Sequence, residues 1–350
     1  MKTSRRLSIL LMALSGTIIS GGAQAATTLD WQVTVADGGA HNAFTDLIQW
    51  KGAYYLCFRH GGSHATMDGD IQVMTSADLK TWTTCGVLDT LGDDRDPHFT
   101  ATDDMLFVYF GTWDLAHQEG HALPDRGKVR SYFASTQDGK TWSKIQAVYE
   151  PGFWLWRVRR HDGVFYSAAY TAYRPKPDMR ETRLVKSTDG LEWTTVTTVT
   201  KERMAGEADF HWTPSGEVWI ISRTGDKAGD AEWFRSDASM TSWKATPTGV
   251  FIHSPAIAEW KDRVFIAGRG KAEKSVTRLW EIVGDKFVEC ITLPSDGDTA
   301  YPGLIVDPAS LQTDTPAFFI SWYSQHEIDR NDLATKYDAN VYVGRVTVAP

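Results

Sequence analysis

A segment of about fifty residues recurs six times along this chain, and several copies close on the same short turn. The turn reads TSADLKTW at Thr75–Trp82, STQDGKTW at Ser135–Trp142 and STDGLEW at Ser187–Trp193, with a stretched copy, RSDASMTSW, at Arg235–Trp243. In the first three an Asp stands four residues before a Trp, with a Ser or Thr just upstream. Such an Asp caps backbone N–H groups of the turn, and the indole fills space between neighbouring sheets. Radial repetition of small sheets leaves an all-β chain few exposed edges, so the pattern predicts an all-β fold, a six-bladed β-propeller. It also places function at the central axis, where the innermost strands converge.

The strands can be laid out blade by blade. Opening strands begin near Asn42, Asp96, Leu155, Glu207, Ser254 and Tyr301, and second strands near Tyr54, Met105, Val164, Val218, Val264 and Ala317. Turns such as Lys51-Gly52, Asp162-Gly163, Ser215-Gly216 and Lys261-Asp262 join them as hairpins. Strand counting predicts that Leu29–Ala36 pairs with the last blade, beside the tail strand Ala339–Val348, so both chain ends lock one ring.

The N-terminus reads as an export signal. Lys2, Arg5 and Arg6 precede an apolar run, Leu7–Ile19, and Ala23–Ala25 supply small residues for cleavage. Residues 1–25 are expected to be removed, leaving a propeller over 26–350 in the periplasm or outside the cell. The run is too short for a membrane anchor. A net charge of −8 without any basic run argues against nucleic acid as a partner. No linker divides the chain, so one domain is expected, acting as a monomer. Three cysteines make no disulfide framework, and Cys57 and Cys85, in one repeat, either pair or stay free.

Residues at the inner strand ends form a distinctive set. Second strands end in Arg59, Thr112, Tyr170, Arg223, Arg269 and Tyr323. First strands begin near His41 and Asp46, Arg95 and Asp96, Trp154 to Arg157, Glu207 and Asp209, Ser254 and Tyr301. Of these His41, Asp46, Arg95, Asp96, Trp154 and Arg157, with Tyr323, are candidate substrate contacts. One such Arg is explained by a structural ion pair; Arg59, Arg223 and Arg269 together, at equivalent places, point to an anionic ligand. Trp154, ahead of its strand, is expected to be exposed and able to stack on a sugar face, whereas Trp156 reads as core. Arg95 and Asp96 read either as ligand contacts or as a strand-start salt bridge. His41, His64 and His326 fall near the same funnel, but no spacing is diagnostic of a metal site, so no metal and no cofactor is expected.

With these residues in place, the chain resembles the sialidase (neuraminidase) superfamily, six-bladed propellers carrying Asp-box turns. The motif DTAYPGL at Asp298–Leu304 is similar to the last-blade sialidase motif Ala-Tyr-Ser-Asp-Leu, whose Tyr is the nucleophile. The resemblance implies that role for Tyr301, with Glu207 as its acidic partner and Arg223 and Arg269 as two arms of a carboxylate-binding triad. A phenol is a weak nucleophile at neutral pH, and a neighbouring carboxylate and guanidinium groups activate it. Sialidases depart in this way from the two-carboxylate rule for glycosidases. General acid duty would fall to the loop after Arg59, to Asp68, Asp70 or His64, with Asp68 favoured by spacing; the alternative for both Asp is an ordinary Asp-Gly turn.

The chain also departs from the pattern. Where sialidases carry the first triad Arg, in Phe/Tyr-Arg-Ile-Pro, it has HNAFTDL at His41–Leu47. The expected substrate is therefore a glycan with a terminal acidic sugar held in a modified way, cleaved with retention through Tyr301 and Glu207. Two further readings stand beside it: a lyase acting on uronate-containing glycans, with His41, Arg59 and Tyr301 as candidate groups, and a carbohydrate-binding propeller without catalysis.

Overall fold

The structure, a computed structural model, describes residues 26–114, 129–172, 181–202, 206–224 and 229–349; the expected export signal, residues 1–25, lies outside them. Among the described residues there are six antiparallel sheets, and each is a blade. Blade one is β2 (Ala43–Trp50), β3 (Ala53–His60), β4 (Asp70–Ser76) and β5 (Thr83–Leu88). Blade two is β6 (Asp93–Ala101), β7 (Leu106–Trp113), β8 (Val129–Thr136) and β9 (Gln146–Val148). In blade three the inner strand is split into β10 (Phe153–Trp154) and β11 (Val158–His161), which both pair with β12 (Val164–Thr171), followed by β13 (Thr182–Ser187) and β14 (Thr194–Thr200). Blade four runs through β15 (Ala208–Trp212), β16 (Val218–Ser222), β17 (Glu232–Ser236) and β18 (Trp243–Pro247). Blade five comprises β19 (His253–Trp260), β20 (Arg263–Lys271), β21 (Ser275–Val283) and β22 (Lys286–Leu293).

Blade six is built from both ends of the chain. It takes β23 (Thr299–Val306), β24 (Ala317–Ser324) and β25 (Asn340–Thr347), and its fourth strand is β1 (Thr28–Ala36), paired antiparallel to β25. The ring is therefore closed by backbone hydrogen bonds between residues some three hundred positions apart, as strand counting predicted.

The repeated turns carry the bonds expected of them. Asp78 Oδ1 accepts from Lys80 N and Thr81 N at 2.8 Å each, and Asp138 Oδ1 accepts from Lys140 N at 2.8 Å and Thr141 N at 2.7 Å. Asp189 repeats the pattern with Leu191 N and Glu192 N. The Trp of each turn packs towards the preceding blade: Trp142 donates to Cys85 O at 3.0 Å, and Trp193 meets Tyr109 edge-on. Cys57, Cys85 and Cys290 are free thiols.

Four inner strands share a defect that shapes the axis. Register shifts interrupt β2, β6, β19 and β23 near their starts, between Ala43/Asp46, Arg95/His98, His253/Ala256 and Ala300/Gly303. Each bulge holds a residue at positive φ: Phe44 (58°), Asp96 (52°), Ser254 (49°) and Tyr301 (45°). Bulges re-aim side chains and recur next to functional sites, because left-handed backbone is tolerated by non-Gly residues only where the surroundings enforce it.

Beneath the bulges a buried ionic lattice closes the axis. Arg157, in the break between β10 and β11, donates to Asp46 Oδ1 at 2.8 Å, to Pro255 O at 2.8 Å and to Pro302 O at 2.5 Å, joining blades one, three, five and six. Asp209 of blade four is held by Arg159 and accepts from Ile257 N at 2.7 Å. Asp46 also accepts from Phe99 N at 2.8 Å in blade two. Burial opposes the Asp46 charge, yet Arg157 and His98 overcome that and hold the carboxyl well below its ordinary value. Asp46 and Arg157 were expected to contact substrate. They are instead buried to within a few per cent of complete, with their polar atoms taken up by this lattice.

Candidate active site

Tyr301 stands at the centre of the residues that the bulges turn inward. Its ring lies 4.9 Å from that of Phe44, 6.0 Å from Trp156 and 6.1 Å from Tyr323. Its hydroxyl donates to Glu207 Oε1 at 2.8 Å. Arg223 Nη1 pairs with the same carboxylate oxygen and lies 3.4 Å from the Tyr301 hydroxyl, while Ser254 Oγ donates to Glu207 Oε2 at 2.7 Å. Arg269 packs over the Tyr301 ring, its guanidinium carbon 5.1 Å from the centroid. Four residues from blades four, five and six thus meet as the sequence suggested.

Burial disfavours both charged forms here, and the neighbours decide the outcome. Burial pushes the Tyr301 phenol up, and Glu207 adds to this while Arg223 and Arg269 pull back. Burial also acts on Glu207, but Arg223 outweighs it and holds the carboxyl at about 2. The resting pair is therefore a neutral phenol donating to an ionised carboxylate. Just behind it, His253 is buried with no partner among the described residues for either ring nitrogen, and burial pushes its pKa down to about 3.

A second cluster lies at the mouth of blades one and six. Asp298, three residues before Tyr301, accepts from Arg269 Nη2 (2.9 Å) and the Tyr323 hydroxyl (2.6 Å) through Oδ1. Its Oδ2 faces His41 Nε2 at 3.0 Å and His64 Nδ1 at 2.6 Å. Tyr323 and His41 are therefore in the site, though as partners of Asp298.

The other candidates are placed differently. Arg59 is fully buried and donates to Asp93 Oδ1 (2.8 Å), Ser63 O (2.8 Å) and Thr66 Oγ1 (3.1 Å), so it ties the 61–69 loop to blade two. Arg95 is held by Asp93 Oδ2 at 3.1 Å and Asp96 Oδ2 at 3.3 Å, and stacks on Trp113. Asp68 is exposed and caps its own loop, accepting from Gly62 N at 3.1 Å; its loop hydrogen bonds leave it below the ordinary carboxylate range, the reverse of what a proton donor needs. Asp70 pairs with Gln72. Asp96 is pushed up to about 7 by burial, with Glu207 adding to the rise, and its Oδ1 has no partner among the described residues.

Trp154 is a correction: it is 4% exposed, not open to a sugar, because Gly111 of the facing strand leaves room for its indole. A Cβ on Gly111 would overlap the ring. Gly111→Ala is accordingly expected to destabilise the fold by about 1–3 kcal/mol, read as a lower denaturation midpoint. Sequence reasoning passed over Asp298, His253 and Phe44 as site residues, and placed Ser254 at an inner strand start without giving it a role. For Ser254 the available signal was the X-Pro dipeptide at the bulge, Ser254-Pro255, which Asp96-Pro97 and Tyr301-Pro302 repeat in two other blades.

No family model matches the sequence, and no curated protein matches it either. Solved structures do. A protein of unknown function from Dyadobacter fermentans is similar with a TM-score of 0.75 at 18% identity, covering 93% of this chain and 100% of that one. Trypanosoma rangeli sialidase is similar at 0.63 and 10% identity over 92% of this chain, which spans 58% of the sialidase. Phage phi92 endosialidase is similar at 0.62 and 11% identity, covering 91% of this chain and 69% of that one. What these likenesses show is the fold: a sialidase-like six-bladed β-propeller.

Proposed function

We propose that the chain is an exported glycoside hydrolase that removes a terminal acidic sugar through a covalent glycosyl–Tyr301 intermediate. The observation that carries this reading is the 2.8 Å bond from the Tyr301 hydroxyl to Glu207, set against Arg223 and Arg269. A carboxylate on the substrate is drawn to those two guanidinium groups. As Arg223 turns part of its charge to the ligand, Glu207 becomes more basic and takes the phenol proton while the oxygen attacks the anomeric carbon. The glycosidic bond breaks, its oxygen leaving with a proton from an acid; water then cleaves the glycosyl–Tyr301 bond and the phenol takes its proton back.

Asp96 is the proton donor in this reading. Its carboxyl has moved to about 7, where a group still holds a proton at working pH and can release it. The sign follows directly: turnover needs Asp96 protonated, so kcat/KM is expected to fall as pH rises through about 7. Asp96→Asn should remove that limb and depress cleavage of poor leaving groups most. A wild-type profile still rising above pH 8 would exclude the role.

The overall test is a panel of acidic-glycan conjugates assayed for both new reducing ends and ultraviolet absorbance. Reducing ends without absorbance support hydrolysis. An absorbing product would mark an unsaturated sugar and the lyase reading, and binding without turnover would mark a carbohydrate-binding propeller.

A further inference from the structure

We propose that His41, His64 and Asp298 form a binding site for a divalent transition metal of the zinc or manganese class, at the rim of the Tyr301 pit. The three donors come from separate parts of the ring: His41 just before β2, His64 from the loop after β3, and Asp298 just before β23. Their ligating atoms lie within 4.8 Å of one another. The imidazole nitrogens sit 3.0 and 2.6 Å from Asp298 Oδ2, against about 3.4 Å between neighbouring ligands of a tetrahedral ion with bonds near 2.1 Å. A displacement of less than an ångström brings all three to bonding distance.

Donor chemistry and surroundings support the choice of ion. Two imidazoles and one carboxylate suit zinc, manganese or nickel, whereas calcium and magnesium prefer all-oxygen shells. Ligating carboxylates are themselves held by outer hydrogen bonds, and here Arg269 and the Tyr323 hydroxyl hold Asp298 Oδ1, leaving Oδ2 to face the histidines. Arg95 Nη2 is 3.5 Å from His64 Nε2, too long to fix that ring's tautomer against metal binding at Nδ1. His64 keeps 44% of its side chain exposed, which provides an entry path from solvent. The charge has a use. Blade one carries no arginine between His41 and Leu47, and a cation held there would meet oxygen atoms of a ligand lying on Tyr301.

The test needs no substrate and therefore stands apart from the glycosidase reading. Untagged protein, stripped with EDTA and dialysed, is titrated calorimetrically with zinc, manganese and calcium chlorides. One-to-one uptake of zinc or manganese is expected, with calcium weaker. His64→Ala, a change on a partly exposed loop, should weaken it at least about 100-fold, and Tyr323→Phe about tenfold through the loosened carboxylate. Tyr301→Phe should bind as wild type does. Cobalt uptake giving visible d–d absorption that His64→Ala loses would agree. Absence of stoichiometric uptake by the wild type overturns the proposal, and so does uptake that both His64→Ala and Asp298→Asn retain.

Discussion

Tyr301→Phe is expected to lower turnover by roughly 10³-fold or more while leaving the fold in place. The substitution removes one oxygen and nothing else. The ring stays between Phe44, Trp156 and Tyr323, and the backbone bulge that aims it is unchanged. Glu207 keeps Arg223 and Ser254 as partners, so the lost hydrogen bond should alter stability by no more than about 1 kcal/mol. No other described hydroxyl donates to Glu207 except that of Ser254, on the carboxylate's far oxygen. Ligand affinity should persist, because Arg223 and Arg269 are untouched. The pair of measurements is a glycan-conjugate assay for kcat and a denaturation curve for stability. Full activity in the variant would remove Tyr301 from the chemistry; a large stability loss would make it a structural residue.

How far the sequence alone reaches depends on the range of the interaction read. Blade number and the hairpin turns rest on local signals, strand alternation and Asp-bearing turns written within ten residues of each other, and closure by β1, though it joins distant residues, followed from counting those strands. Arg223 and Arg269 were legible because both end the second strand of their blade, so one repeat reports on the other, whereas Glu207 and Tyr301, at the starts of first strands, drew their roles from the resemblance of the DTAYPGL motif. What a repeat cannot report is which inward side chain another blade neutralises. Arg59 and Arg223 end equivalent strands, yet Asp93 of the next blade encloses the first and leaves it dry, whereas the second keeps 27% of its side chain exposed beside Tyr301. Trp154 was misjudged for the same reason: its burial is decided by a glycine in blade two. Asp298 stood within the quoted DTAYPGL motif, but its partners His41 and His64 lie more than two hundred residues away.

The largest effect on stability is expected at Arg157, which no turnover step uses. Arg157→Met keeps the aliphatic stem and removes the fork, leaving Asp46 charged in a dry axis and the carbonyls of Pro255 and Pro302 without their donor. Breaking a buried pair from one side costs about 3–5 kcal/mol, because the remaining charge has no water to return to. Arg157→Lys should recover only part, since a single ammonium cannot reach acceptors in blades one, five and six together. Adding Asp46→Leu to Arg157→Met should restore part of the loss by removing the stranded carboxylate, limited by the bond that Asp46 also accepts from Phe99 N. Guanidinium unfolding followed by tryptophan fluorescence measures all three. An Arg157→Met protein within about 1 kcal/mol of wild type would mean that the lattice follows from the ring's closure instead of maintaining it. A loss on the predicted scale would mean that the floor on which Tyr301 stands is set by charge buried beneath it, and the lower-lying arginine would then belong to the architecture while Arg223 and Arg269 belong to the ligand.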